Sequence, residues 1–318
     1  MKQLLAIGEA LIDFIPSESG KELKQVPAFA PAVGGAPANV CGAYVKLGGR
    51  AAMITQLGAD PFGDKIADEF EACGIDCTYV KRTTEANTSL AFVALKKDGN
   101  REFSFYRKPG ADMLMKAEDI KKDWFEDIFG LHFCSVSLGD FPMKEAHRQA
   151  VRYAGESGAV VSFDPNLRFA LWEDLDALKR VVKEFAPMAH VLKVSDEELE
   201  FITGTTDIKQ ALPSLLTGKT KLVIYTRGSE GAECYTKNAH AFAPSMKVKA
   251  VDTTGAGDGF IGSLLYCLSA DGVAADTLDS LTAEQMERYL AFANKFCGKS
   301  VMGHGAIASY PTLEEMNA

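Results

Sequence analysis

Short apolar runs recur along this chain, and most are followed by a stretch with helical spacing. Residues 2–8, 51–57, 129–135, 158–163, 191–194 and 221–225 read as strands that are apolar on both faces. Residues 37–47, 61–73 and 144–157 carry apolar side chains at helical intervals, and Gly74 closes the second of these. A strand that is apolar on both faces must be covered on both faces. The β-then-α rhythm therefore predicts an α/β domain with helices packed on a mostly parallel sheet.

Two stretches break the rhythm. Residues 11–29 are extended and contain proline. Within 88–107, Leu90-Ala91-Phe92-Val93-Ala94-Leu95 and Glu102-Phe103-Ser104-Phe105-Tyr106 flank Asp98-Gly99-Asn100, a hairpin signature. The pattern alone allows either a sheet edge or a lid. There is no internal repeat and no low-complexity tract.

Composition narrows the function classes. The chain has 318 residues, 47% of them hydrophobic and 24% charged, which suits a packed domain and excludes disorder. A formal charge of −9 without a basic cluster argues against nucleic acid as a partner and against anionic membranes. No apolar run is long enough for a signal peptide or a membrane span. The 7 cysteines show no disulfide framework, and a reducing cytoplasm is the expected setting. Cys73, Cys77, His132 and Cys134 fit no standard zinc spacing, and the cysteines are expected to be buried thiols.

The segment with the most chemistry is Val251-Asp252-Thr253-Thr254-Gly255-Ala256-Gly257-Asp258-Gly259-Phe260, followed by an apolar helical run. A helix opened by small residues aims several unpaired amides at one point, and its dipole favours an anion there. Asp258 would repel a phosphate placed directly beside it. The arrangement makes sense if a hydroxyl lies between them: Asp258 takes the hydroxyl proton while the amides of residues 255–258 hold the phosphoryl charge. The bland alternative is a glycine-rich turn with Asp258 as a first-turn dipole partner.

A second glycine-rich entry, Val33-Gly34-Gly35-Ala36-Pro37-Ala38-Asn39, begins a helix with proline in its first turn and Asn39 on it, its amide expected to be free. Asp13 is placed near the end of the first strand, where ligands of open α/β sheets bind. Two look-alikes are set aside. Ala293-Asn294-Lys295-Phe296-Cys297-Gly298-Lys299-Ser300 ends a helical pattern and lacks the first glycine of a P-loop. Gly255, Gly257 and Gly259 do not have dinucleotide-binding spacing.

Taken together, Gly34-Gly35-Ala36-Pro37-Ala38-Asn39 and Asp252-Thr253-Thr254-Gly255-Ala256-Gly257-Asp258 resemble the two signatures of the ribokinase-like PfkB sugar kinases. Ile7-Gly8-Glu9-Ala10-Leu11-Ile12-Asp13, Phe163-Asp164-Pro165-Asn166-Leu167-Arg168 and Lys193-Val194-Ser195-Asp196-Glu197-Glu198 look most like the fructokinase branch, with 2-keto-3-deoxygluconate kinases next. The resemblance covers essentially the whole chain. It implies one domain over 1–318: a three-layer α/β/α sandwich with a mostly parallel central sheet and a small β-sheet lid from about 11–29 and 88–107.

The resemblance also implies roles. Asp258 is the catalytic base, with Gly255, Ala256 and Gly257 in the anion hole. Asp13, Gly34, Gly35 and Asn39 hold the sugar, with Tyr106 and Arg107 reaching it from the lid. Asn166 and Arg168 lie near the transferring phosphate, and Arg is a natural partner for it. Lys193, Thr226, Gly228, Ser229, Gly231 and Asn294 meet ATP. Glu198 serves Mg2+ through water, although Ser195 stands where the family's Asn-x-x-Glu element has Asn. Asp252, Thr254, Ser300, Gly303, Gly305 and Ser309 correspond to a K+ loop. The implied reaction is ATP-dependent phosphorylation of a primary hydroxyl of a ketose, with fructose first, 2-keto-3-deoxygluconate as the alternative acceptor, and an idle sugar-binding protein as the different class. The aromatic lid face implies a homodimer.

Overall fold

The computed structural model describes residues 1–95 and 101–318, without the side chains of Leu95 and of residues 101–103. The expected Asp98-Gly99-Asn100 turn and the Phe103 side chain lie outside the described residues.

The strands are β1 (Gln3–Ile7), β2 (Leu11–Pro16), β3 (Phe29–Gly34), β4 (Ala51–Gly58), β5 (Ile75–Asp76), β6 (Val80–Thr83), β7 (Leu90–Leu95), β8 (Arg101–Tyr106), β9 (Ile128–Cys134), β10 (Val160–Asp164), β11 (Val191–Ser195), β12 (Leu222–Thr226), β13 (Ala232–Tyr235) and β14 (His240–Ala243). A 10-stranded sheet runs β14-β13-β12-β11-β10-β9-β1-β4-β5, with β6 also paired to β4. Pairing is parallel from β5 across to β12 and antiparallel at β12-β13-β14. Residues 226–231, whose Thr226, Gly228, Ser229 and Gly231 are expected to meet ATP, form the turn that closes an antiparallel pair, Thr226 facing Ala232.

The helices are α1 (Ala36–Lys46), α2 (Pro61–Ala72), α3 (Pro142–Glu156), α4 (Leu175–Phe185), α5 (Asp196–Thr203), α6 (Ile208–Leu215), α7 (Ala256–Ala270), α8 (Ala283–Ser300) and α9 (Leu313–Asn317). Strand alternation divides the core. Leu4 and Ala6 of β1 join Val40, Leu264 and Leu290 on one face, whereas Leu5 and Ile7 join Val151, Phe163 and Val182 on the other. Each fully buried Leu, Ile or Phe contributes roughly 1.5–3 kcal/mol. These two cores are the outer seams of an α/β/α sandwich. No helix among the described residues is long and apolar enough to cross a membrane.

A separate 4-stranded sheet runs β3-β2-β7-β8. It is mixed, since β2 and β7 are parallel while the outer pairs are antiparallel. The expected boundary at residue 29 was too early. β3 begins there and runs to Gly34, so the lid strand leads straight into α1. Phe92 stacks on Phe14 at 4.5 Å and meets Phe29 and Tyr106 edge-on.

The P-loop-like residues 293–300 lie within α8, with no strand before them, as their helical pattern required. His132 and Cys134 are buried neighbours on β9, whereas Cys73 and Cys77, expected to be buried, are half-exposed beside the short edge strand β5; no metal-ligating cluster exists among the described residues.

Candidate active site

Of the expected site residues, Asn166, Lys193 and Thr226 lie at or just beyond the carboxyl ends of β10, β11 and β12, where open α/β sheets bind their ligands. Gly255 precedes α7 with φ 72° and leaves its first turn without a side-chain cap. A methyl on Gly255 would lie 2.5 Å from Ala306 Cβ, and Tyr310 donates its hydroxyl to the Gly255 carbonyl at 2.7 Å. Glycine is required here both by the left-handed backbone and by this close approach. Gly257 is exposed, and a methyl on it would sit 3.4 Å from Lys193 Nζ. Ala256 N, expected in the anion hole, donates to Thr253 O at 3.2 Å, whereas no side chain caps the turn that Gly255 opens.

Asp258 follows, 5% exposed. Asn39 donates to its Oδ2 at 2.9 Å, and Asn166 to its Oδ1 at 2.8 Å. Burial raises the carboxyl above the usual aspartate range, while Asn39, Arg168, Lys193 and Asn166 pull it back. The side-chain amide of Asn39, expected to be free, is therefore bound to Asp258. Close helix packing explains this: a methyl on Gly262 of α7 would meet Ala43 Cβ at 2.7 Å and Val40 O at 2.8 Å. Glycine lets α1 approach α7 until Asn39 reaches Asp258.

Asn166 comes from the opposite side. Its φ of 45° is left-handed, a region Asn tolerates better than most residues, and its backbone amide donates to Asp164 Oδ1 at 3.1 Å. Lys193 pairs with Asp164 at 2.9 Å and stands 3.9 Å from Glu198. Burial works against its ammonium, but Asp164, Glu198 and Asp258 outweigh burial and hold it above the ordinary lysine range. Ser195 and Glu198 form a capping box on α5: Ser195 N donates to Glu198 Oε2 at 2.8 Å, and Leu167 N donates to Oε1 at 3.0 Å. Serine thus takes the helix-capping role at this position. Arg168 is exposed and donates to Leu167 O.

On the sugar side of the expected site, Asp13 lies on β2 and Gly34 on the neighbouring β3, where a methyl would overlap Asp13 Oδ2 at 2.2 Å. Gly35, with φ 126°, passes 2.5 Å (methyl to oxygen) from Glu9 O. Tyr106 is 65% exposed at the end of β8. Arg107, next to it, is buried and bonded to Asp112 through Nε at 2.9 Å and Nη2 at 2.5 Å.

In the expected nucleotide turn, Arg227 N donates to Gly231 O at 2.9 Å, and Gly228 and Gly231 have φ of 48° and 116°. Thr226 sits beside Ser195 in register, so this turn starts next to the capping residue of α5, and Ser229 is exposed at its tip. Asn294 is buried and gives its side-chain amide to Ala243 O and Pro244 O at 2.9 and 3.2 Å, tying α8 to the end of β14. In the loop expected to hold K+, Asp252 accepts from Thr254 N and Gly305 N, each at 2.9 Å. Ser309 donates to Gly305 O at 2.7 Å and meets Ser300 Oγ at 3.2 Å. Gly303 packs on Ser309.

The sequence reading missed three buried acids. Glu9 receives Ala36 N and Ser137 Oγ at 3.3 and 3.1 Å, and burial pushes it up to about 7. Asp164 and Asp112 complete the set. Glu9 and Asp164 stand at strand ends, so the rule that singled out Asp13 reaches them as well.

The chain matches the family model described as pfkB family carbohydrate kinase over residues 1–313. It is 40% identical over 314 residues to Fructokinase-2 of Solanum habrochaites, covering 98% of this chain and 94% of that one. A solved fructokinase with bound ATP from Xylella fastidiosa superposes with a TM-score of 0.92 at 35% identity, covering 99% of this chain and 97% of that one. A double mutant of fructokinase from Vibrio cholerae O395, in fructose, ADP and potassium ion bound form, superposes with a TM-score of 0.86 at 33% identity, covering 100% and 97%. Since the family match runs from the first strand into α9 and the solved relatives overlay nearly every residue, this chain belongs to the pfkB family of carbohydrate kinases.

Proposed function

We propose that this chain is an ATP-dependent fructokinase, transferring the γ-phosphoryl group to a primary hydroxyl of fructose. The observation that carries the reading is the seat of Asp258: a buried carboxylate at an uncapped helix N-terminus, with each oxygen held by a side-chain amide. Burial makes Asp258 a stronger base, and the Asn39 and Asn166 donors, with Arg168 and Lys193, oppose that rise by favouring its ionised form. Asp258 takes the hydroxyl proton as the sugar oxygen bonds to phosphorus and the bond to ADP breaks. The amides of Gly255, Gly257 and Asp258, with Lys193 and Arg168, are assigned to the charge that shifts during transfer. A sugar-binding protein without turnover has no use for such a base.

Asp13, Gly34, Gly35, Asn39 and Tyr106 are assigned to the sugar, and Thr226, Gly228, Ser229 and Gly231 to the nucleotide. Asn294 shapes the nucleotide side through its hold on residues 243–244. The head of α7 suits a phosphate, because a side chain at exposed Gly257 would fill the space before Lys193. Glu198 and Asp164 supply hard oxygens suited to Mg2+, with Glu198 acting through water because both its oxygens already accept amides. Bound with the triphosphate, Mg2+ neutralises phosphate charge. The Asp252 carboxylate and nearby carbonyl and hydroxyl oxygens fit K+.

A second copy pairing over the aromatic lid sheet accounts for its exposed Ile15 and Tyr106. The free cysteines suit a reducing cytoplasm.

The deciding test is ADP release from ATP with fructose, ribose, 2-keto-3-deoxygluconate and adenosine. Fructose is expected to give the highest kcat/KM. A clear preference for any other acceptor overturns the assignment. Light scattering on the purified chain tests the dimer, and a monomer at micromolar concentration rejects it.

A further inference from the structure

Resting on the fructokinase reading, we propose that Asp112 is a specificity-determining residue, which rejects sugar acids by keeping the guanidinium of Arg107 neutralised beside the acceptor site. A carboxylate-bearing acceptor needs a cation near its acid group, because burying an unpaired carboxylate is costly. Arg107, at the foot of the lid strand β8, and Arg168 are the expected sources of that charge; Arg168 is assigned to the transferring phosphate, which leaves Arg107 for the acid group. Its Nε and Nη2 both end on Asp112 Oδ2, at 2.9 and 2.5 Å. The other oxygen of Asp112 accepts from Ser89. Nη2 also reaches Ser137 Oγ at 3.4 Å, and Ser137 donates to Glu9 Oε2 at 3.1 Å. The opposite oxygen of Glu9 holds Ala36 N, in the first turn of α1, which carries Asn39 to Asp258.

One guanidinium therefore serves two buried carboxyl groups. The set is neutral when Glu9 is protonated and carries −1 when Glu9 is ionised, and in neither state does it offer a spare positive charge. The ring of Phe141 lies 5.4 Å from the Arg107 guanidinium carbon and covers another side of the group. A neutral ketose loses nothing against this wall. A sugar acid meets it with its own charge uncompensated, which discriminates through repulsion rather than through added contacts.

The test measures kcat/KM for fructose and for 2-keto-3-deoxygluconate in three proteins, with thermal melts to score folding. In the wild type, fructose is expected to lead by at least about a hundredfold. Asp112→Asn leaves Arg107 charged and incompletely paired. The acid-to-fructose ratio of kcat/KM is expected to rise at least about tenfold. Asp112→Asn combined with Arg107→Gln keeps the altered shape but removes the charge, and the gain is expected to vanish. If folded Asp112→Asn keeps the wild-type ratio, or if the gain survives loss of Arg107, the proposal is overturned.

Should Asp112→Asn fail to fold, Arg107→Met/Asp112→Leu replaces the pair by apolar side chains of similar size, a change that buried ion pairs often tolerate. With no cation released, its acid-to-fructose ratio is expected to stay within about threefold of the wild type. A rise beyond that shows that rejection does not depend on the missing cation and overturns the proposal. A wild type that prefers another neutral sugar refutes the fructose assignment alone, whereas a wild type that uses fructose and the sugar acid equally refutes this inference alone.

Discussion

Asn166 reaches Asp258 from a left-handed backbone: at φ 45°, its side-chain amide donates to Oδ1 at 2.8 Å. The strained residue and the buried carboxylate hold each other in place. Asp164 fixes the turn, Lys193 fixes Asp164, and Asn39 closes on the far oxygen of Asp258. The carboxylate is thus oriented before any sugar arrives, which lowers the cost of aligning it with a hydroxyl.

Asp258→Asn retains the shape but can accept from only one of Asn39 and Asn166, and it cannot take a proton. It is expected to lower kcat by at least about 10²-fold, with fructose and nucleotide binding retained. Steady-state rates beside equilibrium binding check this, and near-normal turnover would remove Asp258 from the mechanism.

Asn166→Ala removes a donor that holds Asp258 down, so the Asp258 carboxyl should rise further. A base must be ionised to act, so the acid limb of the kcat–pH profile is expected to move to higher pH, with kcat down about tenfold. Alanine at this φ also costs about 1–2 kcal/mol of stability. Asn166→Gly should recover that stability without recovering kcat, since it relieves the backbone and leaves the donor missing. Recovery of both would make the contact to Asp258 irrelevant.

Glu9 predicts a pH-dependent stability. Its carboxyl is raised from 4.5 to about 7, chiefly by burial. Between those values the unfolded chain is ionised while the folded chain keeps its proton. The favourable contribution is therefore complete below about 4.5 and lost as pH rises through about 7. Glu9→Gln, whose amide oxygen can still accept from Ala36, escapes that loss. Its stability relative to the wild type is expected to improve by about 1–3 kcal/mol between pH 5 and pH 8. Melting curves across that range check the slope, and parallel curves would contradict it.

Gly255 and Gly257 should separate folding from catalysis. At Gly255 the φ is 72° and a methyl meets Ala306 at 2.5 Å, so Gly255→Ala is expected to lower Tm by several degrees. At Gly257 a methyl meets only Lys193 Nζ, at 3.4 Å, so Gly257→Val is expected to fold and to lose phosphate accommodation. Raised KM for ATP with a smaller drop in Tm is the signature; equal losses in both variants would favour a merely structural turn.

Much of this protein was legible in its sequence because the signals are local. Alternating apolar runs specify a sheet covered on both faces, and the order of strands and helices follows from them. Glycines before α1 and α7 mark where backbone approaches backbone or ligand, and Asp258 lies three residues from one of them. What residues 11–34 and 88–107 build was not local: strand pairing between β2 and β7 links segments far apart, and the hairpin pattern is equally compatible with a sheet edge. Partnerships between buried polar groups were likewise out of reach. Asn39 belongs to Asp258 because Gly262 lets α1 close on α7, and Arg107 belongs to Asp112 because both are sealed from water. A side chain's charge and donors can be read from its type, but which partner spends them depends on distance and desolvation, and only the folded chain sets those.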